Sequence, residues 1–213
     1  MPWVPAGWLN QNQAYGMLLT TGESRMGLQT APIWYLAVSC FDEAEGQKWQ
    51  DYVRWAGLAH LRELITLDPS LCRRVVSELS DEDWLHNVHE DNMQEFFLDL
   101  DYLLARTSQF RRIHIFAVQR EPSKENRSFL AESDFAFVRY DILDREGAFS
   151  LLTNCGPFPL ACDKTELSEV GLVVDFYRAE QVRRKLFQYY SANEHVPECV
   201  IWAVWKMLSP SLG

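Results

Sequence analysis

Two apolar runs constrain this chain most. They are IWYLAVSCF, from Ile33 to Phe41, and VIWAVWKM, from Val200 to Met207, far apart in a sequence of 213 residues. Both are rich in β-branched and aromatic residues and have the length of a strand. Neither approaches the ~18 apolar residues that a membrane helix needs. They therefore read as buried strands. A third strand is expected over Arg112–Gln119, where Ile113, Ile115 and Ala117 alternate with His114, Phe116 and Val118. Phe135–Leu143 and Ala148–Thr153 flank Asp144-Arg145-Glu146-Gly147 and read as an antiparallel hairpin.

Between these runs the apolar period changes to three and four. Trp49, Tyr52, Val53, Ala56, Leu58, Leu61, Leu64 and Ile65 follow the acids Asp42, Glu43 and Glu45. Acids suit the positive end of a helix, so a helix is expected over Glu43–Thr66, loosened at Gly57. Asp68-Pro69 is a helix-start signal, with Leu71, Val75, Val76 and Leu79 on one face. Ser80 caps a further short segment, with Asp83 as the reciprocal partner. Phe96, Phe97, Leu100, Leu103 and Leu104 predict a helix over Gln94–Arg106, and Phe176, Ala179, Val182, Leu186, Phe187 and Tyr190 predict one over Phe176–Ser191. Asp163 to Gly171 reads as connecting structure with a helical turn. The expected fold is α/β or α+β, a mixed or mostly antiparallel sheet packed with about four helices. It is read as a single domain over 1–213 with an irregular, Pro- and Gly-containing arm over about 1–31. A chain of this length buries a sizeable core without a disulfide or metal staple.

The formal net charge is −10. Such a chain is repelled at long range by phosphate backbones and anionic lipid, so neither nucleic acid nor a membrane is expected as a partner. The basic clusters Arg73-Arg74, Arg111-Arg112 and Arg183-Arg184-Lys185 are short and read as solvated edges of elements. The negative charge is concentrated. Glu78, Asp81, Glu82, Asp83, Glu90, Asp91, Glu95, Asp99 and Asp101 fall in a stretch with no Lys or Arg. One reading is a solvated acidic surface that keeps the protein soluble. The other is a surface for a basic protein, which such a field would steer and select. Asp81, Asp83, Trp84, Glu90 and Asp91 are its candidate contact residues, with Trp84 as the aromatic anchor. In size, acidity and lack of catalytic motifs the chain has the physical character of a bacterial immunity protein or inhibitor, a non-catalytic binder of a basic partner.

The alternative is an enzyme. His86, His89 and Glu90 share the acidic stretch, and histidines at i and i+3 can lie on one helix face and bind metal. The spacing is not His-Glu-x-x-His, and no metal or cofactor is expected from any motif. Cys155 is the candidate nucleophile. It follows a predicted strand and precedes Gly156, and it needs a base from His195 or His114. Pro157 removes the helix that a nucleophile elbow requires. The five cysteines are scattered and form no Cys-x-x-Cys pair, so no zinc framework is indicated. Met1–Pro5 lacks the basic start of a secretion signal, and reduced thiols in the cytoplasm are expected. There is no P-loop, no Gly-x-Gly-x-x-Gly and no Gly-x-Ser-x-Gly. Asp99/Asp101 and Asp141/Asp144 read as turn and surface acids. The run YDILDREGAFSLLTNCGPF, from Tyr140 to Phe158, stands out as specific sequence with no chemistry attached to it.

Overall fold

Continuous burial marks the two apolar runs as inner strands. In the computed structural model, which describes residues 32–91, 94–123, 134–154 and 158–208, the first run forms β1 (Trp34–Ser39) and the last is the strand Val200–Met207. Between them come β2 (Phe41–Asp42), β3 (Glu63–Leu64), β4 (Val88–Asp91), β5 (Gln94–Phe97), β6 (Ile113–Arg120) and β7 (Phe135–Leu143), so the last strand is β8. Six of them make one antiparallel sheet in the order β4-β5-β1-β6-β8-β7, and β2 pairs with β3 separately. Four helices occur among the described residues: α1 (Gln47–Ala56), α2 (Asp81–Asn87), α3 (Leu100–Thr107) and α4 (Phe176–Tyr190). The fold is α+β with one continuous core. No helix of the described residues is long and apolar enough to cross a membrane. The arm over about 1–31 lies outside the described residues.

The helix α4 follows its sequence closely. The Asp175 side chain accepts from the Arg178 N–H at 2.9 Å, and Ala179, Val182 and Leu186 form the buried stripe. It packs on β7 and β8, as α3 packs on β1 and β5. Four other expectations are corrected. The helix expected over Glu43–Thr66 stops at Gly57, which takes the left-handed conformation (φ 68°) and returns its N–H to the Arg54 and Val53 carbonyls. Beyond it the apolar residues continue to pack, but from extended chain: Leu58, Leu61, Leu64 and Ile65 are buried, and β3 pairs with β2. Asp68-Pro69 starts only a turn, which Asp68 Oδ1 caps by accepting from the Ser70 N–H at 2.9 Å, and the chain beyond it is extended. Gln94–Phe97 is a strand, pairing with β4 along its length and with β1 at Tyr35↔Phe97, and helix begins only after the Asp99 cap. The expected hairpin is half formed. β7 meets the Ala148–Thr153 segment through a single bridge, Leu143↔Ser150, followed by turns.

A buried polar network makes these corrections intelligible. Asp141 of β7 is fully buried and accepts from Thr66 Oγ1 (2.7 Å), the Leu67 N–H (3.0 Å), Ser150 Oγ (2.8 Å) and the Ile142 N–H (2.9 Å). Asp68, also buried, accepts from the Ser150 N–H at 2.9 Å and from Asn154 Nδ2 at 2.7 Å. Ser150 thus bridges two acids from distant segments. Asp144 is buried too and accepts from the Ala148 N–H at 2.8 Å. The Asp141/Asp144 pair is therefore interior, not surface. Gln94 closes the network, donating to the carbonyls of Leu67 and Gly147. Gly147 has φ +73°, and a Cβ there would stand 2.6 Å from Gln94 Cγ, so only glycine fits.

Burial pushes the Asp141 carboxyl up from its ordinary range while the four donors pull it back. Removing it strands several buried donors, each worth about 1–3 kcal/mol when left unpaired. Asp141→Ala is expected to lower the unfolding free energy by about 3 kcal/mol or more. Urea unfolding checks this, as a drop in midpoint with the slope retained.

Candidate functional site

The acidic stretch folds into α2, the β4–β5 hairpin and the first turn of α3. Two helix starts explain why the acids sit where they do. Ser80 Oγ accepts from the Asp83 N–H (3.1 Å) and donates to Asp83 Oδ2 (2.9 Å), and Asp99 caps α3 through the Tyr102 N–H at 2.7 Å. Glu78, Asp81, Glu82, Glu90, Glu95, Asp99 and Asp101 are exposed. Asp83 is half-buried and paired with Arg106 Nη2 at 3.1 Å, and the Ser80 hydroxyl holds its carboxyl below the ordinary range. Asp91 ends β4, and its side chain lies outside what is described. Trp84 is half-buried and donates from Nε1 to Glu90 Oε1 at 2.8 Å. Its ring is therefore committed in part to the protein itself.

Among the described residues β4 pairs only with β5 and forms one outer edge of the sheet. The register puts Glu90 directly opposite Glu95. Like charges facing each other across a strand pair are destabilising. Two large apolar side chains lie on the same segments and face solvent, Leu85 at 79% exposure and Leu98 at 51%.

The expected metal alternative does not assemble. His86 sits near the end of α2, its Nδ1–H donating to the Glu82 carbonyl at 2.7 Å. His89 lies on β4, stacked on Trp34 with ring centroids 4.6 Å apart. Among the described residues no group of three or more His, Cys, Asp or Glu side chains is arranged to hold a metal ion. Cys155 lies outside the described residues. Of its two candidate bases, His195 is 3.4 Å from the Asp144 carboxylate, and His114 is engaged elsewhere.

That engagement is a constellation the sequence reading missed. In the β1–β6 register Val38 faces His114, and Phe116, two residues on, faces Lys206 of β8. His114 and Lys206 therefore share a face. Glu63 of β3 reaches between them, with Oε2 3.0 Å from His114 Nε2 and Oε1 2.9 Å from Lys206 Nζ. On the other side of the ring, Cys40 Sγ stands 3.8 Å from His114 Nδ1. Glu63 and Lys206 also line a groove of about 610 Å3, together with Ala136–Arg139 of β7. Cys40 is not part of that groove.

His114, hydrogen-bonded to Glu63, holds its carboxyl down to about 2 from an ordinary 4.5, against the desolvation that opposes this. A depressed carboxyl contributes stability above its unfolded value and loses it as pH falls toward the folded one. Glu63→Gln is therefore expected to flatten the fall in stability between pH 4.5 and about 2, as read from denaturation midpoints across that range.

Comparison of the chain with protein-family models, curated proteins and solved structures finds no match, so function has to be read from these surfaces alone.

Proposed function

We propose that the protein is a binder of a basic protein partner, of the immunity or inhibitor type, and that the α2–β4–β5–α3 edge is its contact surface. The observation that carries this is Glu90 opposite Glu95 on an outer strand, among further exposed acids. A strand pair pays for that repulsion in the free protein, and a Lys or Arg from a partner set between the two carboxylates would reverse its sign. Leu85 and Leu98 supply apolar contact beside the charge. Asp81, Glu90 and Asp91 are the charged contacts. Trp84 acts as a half-buried anchor through its exposed portion, and Asp83 mainly fixes α2 and its link to Arg106.

The same reading leaves nucleic acid and membranes without a role, given the sign of the charge. It also keeps the protein in the cytoplasm. The four described cysteines are free, which is in keeping with a reducing compartment.

The test uses the purified products of the genes flanking its own as probes. A basic one is expected to bind, with affinity falling as salt is raised. The fourfold variant Asp81→Asn, Glu82→Gln, Glu90→Gln, Glu95→Gln spares the Asp83 cap and is expected to weaken binding about tenfold or more. Affinity indifferent to salt or to the four substitutions overturns the acidic-surface reading, and no binder among the flanking products overturns the immunity reading.

A further inference from the structure

We propose that Cys40, His114 and Glu63 form an acyl-transfer site in which the Cys40 thiol is the nucleophile, His114 its general base and Glu63 the residue that orients the ring. The proposal is independent of the acidic edge and shares no residue with it.

The geometry fixes each role. Glu63 is ionised at neutral pH and can only accept, so the hydrogen on the neutral ring sits on Nε2 and points at Glu63 Oε2, 3.0 Å away. Nδ1 is then left with its lone pair toward Cys40 Sγ at 3.8 Å. Such contacts are often long before substrate arrives. Lys206, bonded to the other Glu63 oxygen at 2.9 Å, fixes the carboxylate in turn. His114 is well enclosed, with 11% of its side chain exposed, whereas Cys40 is only half-buried.

The backbone beside the thiol is strained. The Cys40 N–H donates to the Arg112 carbonyl at 2.9 Å, and Arg112 holds φ 52°, a left-handed conformation that non-glycine residues seldom adopt. Its guanidinium is clamped by Asp42 (2.7 Å) and Glu45 (3.3 Å). Strain of this kind persists only where surrounding contacts impose it, and it concentrates at functional sites. Here it fixes the residue from which the thiol is presented.

Acyl chemistry suits a thiol in this setting. Burial first, then the Glu63 charge, pushes the Cys40 thiol up, with Asp42 adding to the rise and Lys206 and Arg112 opposing it. The thiol is therefore protonated at rest and needs a base in contact during attack. As Sγ bonds to the carbonyl carbon, its proton moves to Nδ1. As the bond to the leaving oxygen or sulfur breaks, Nδ1–H returns that proton to the leaving group. The products are acyl-Cys40 and the free alcohol or thiol, with nothing oxidised or reduced. The substrate class is an activated ester or thioester.

The native protein is treated with p-nitrophenyl acetate. A burst of one equivalent of nitrophenolate is expected, with the acetyl group on Cys40 by peptide mass mapping and no burst from Cys40→Ser. His114→Gln is expected to slow acetylation about 100-fold near neutral pH. Its rate should converge on that of the native protein at alkaline pH, where the thiol ionises unaided. A merely structural lesion would not produce that pH-dependent convergence. Glu63→Gln should shift the native pH profile. Acetylation at other side chains, or a His114→Gln rate equal to the native one near neutral pH, overturns the proposal. If His114→Gln does not fold, the native protein decides. Cys40 acetylated no faster than a free cysteine peptide overturns it equally.

Discussion

The carboxylate of Asp141 is the constraint on which the rest of the structure depends. It sits at zero exposure on β7 and is met by donors from three places: its own strand, the 66–67 segment and Ser150. A buried carboxylate is tolerable only when its lone pairs are filled, so the chain on either side has little freedom to do anything else. The segment after α1 cannot continue as helix, because Thr66 and Leu67 must present a hydroxyl and a free N–H to β7. Asp68 is held at both oxygens: Oδ1 accepts from the Ser70 N–H at 2.9 Å, capping the turn, and Oδ2 accepts from Ser150 and Asn154. The run from Leu58 to Leu79, which includes β3, is thereby stapled to β7 at Thr66 and Leu67, and it bonds to β1 at Arg73 and Val75. That staple carries Glu63 to the position where it meets His114 and Lys206.

Much of the framework was legible in the sequence, and the reason lies in burial. β1, β6, β8 and α4 have patterns that one face or both faces of the element explain without help from elsewhere: continuous apolar residues for inner strands, and a three-four stripe for α4. The misread regions also have a three-four spacing of apolar residues, but their partners are remote. Phe96 and Phe97 match a helix with Leu100 and Leu103, yet Phe96 stacks at 5.3 Å on Trp34 and 5.2 Å on Trp202, which only a strand beside β1 allows. Tertiary packing overrides local period there, as it does past Gly57. The Tyr140–Phe158 run, specific but mute as sequence, is largely the polar core, contributing Asp141, Asp144, Gly147, Ser150 and Asn154.

The two candidate sites differ in the same way. The acidic edge was visible because its charges are consecutive, and folding changed only the bookkeeping of which acids are committed internally, Asp83 above all. The thiol site was invisible because its contacts join residues 74, 51 and 143 positions apart. His114 was considered as a base for a cysteine, but for Cys155. Nothing local to Cys40 signals a nucleophile, since Ser39 and Phe41 on either side read as strand.

The thiol site is also more tightly bound to the core than its exposure suggests. Cys40 follows β1, His114 lies on β6 and Lys206 on β8, so their approach is a matter of register. A slip of one residue in either pairing would turn His114 to the opposite face of the sheet. What prevents the slip is apolar: Leu36 faces Phe116 and Trp34 faces Val118 across β1 and β6, all buried, and Val118 faces Val204 on β8. Moving the register would take each of these out of its layer and expose several large side chains, each worth roughly 1.5–3 kcal/mol. The geometry of the three polar side chains is thus held by the hydrophobic layer, in which Phe116 lies against the His114 ring with centroids 5.7 Å apart, and the hydrogen bond that Glu63 accepts has only to choose the ring orientation.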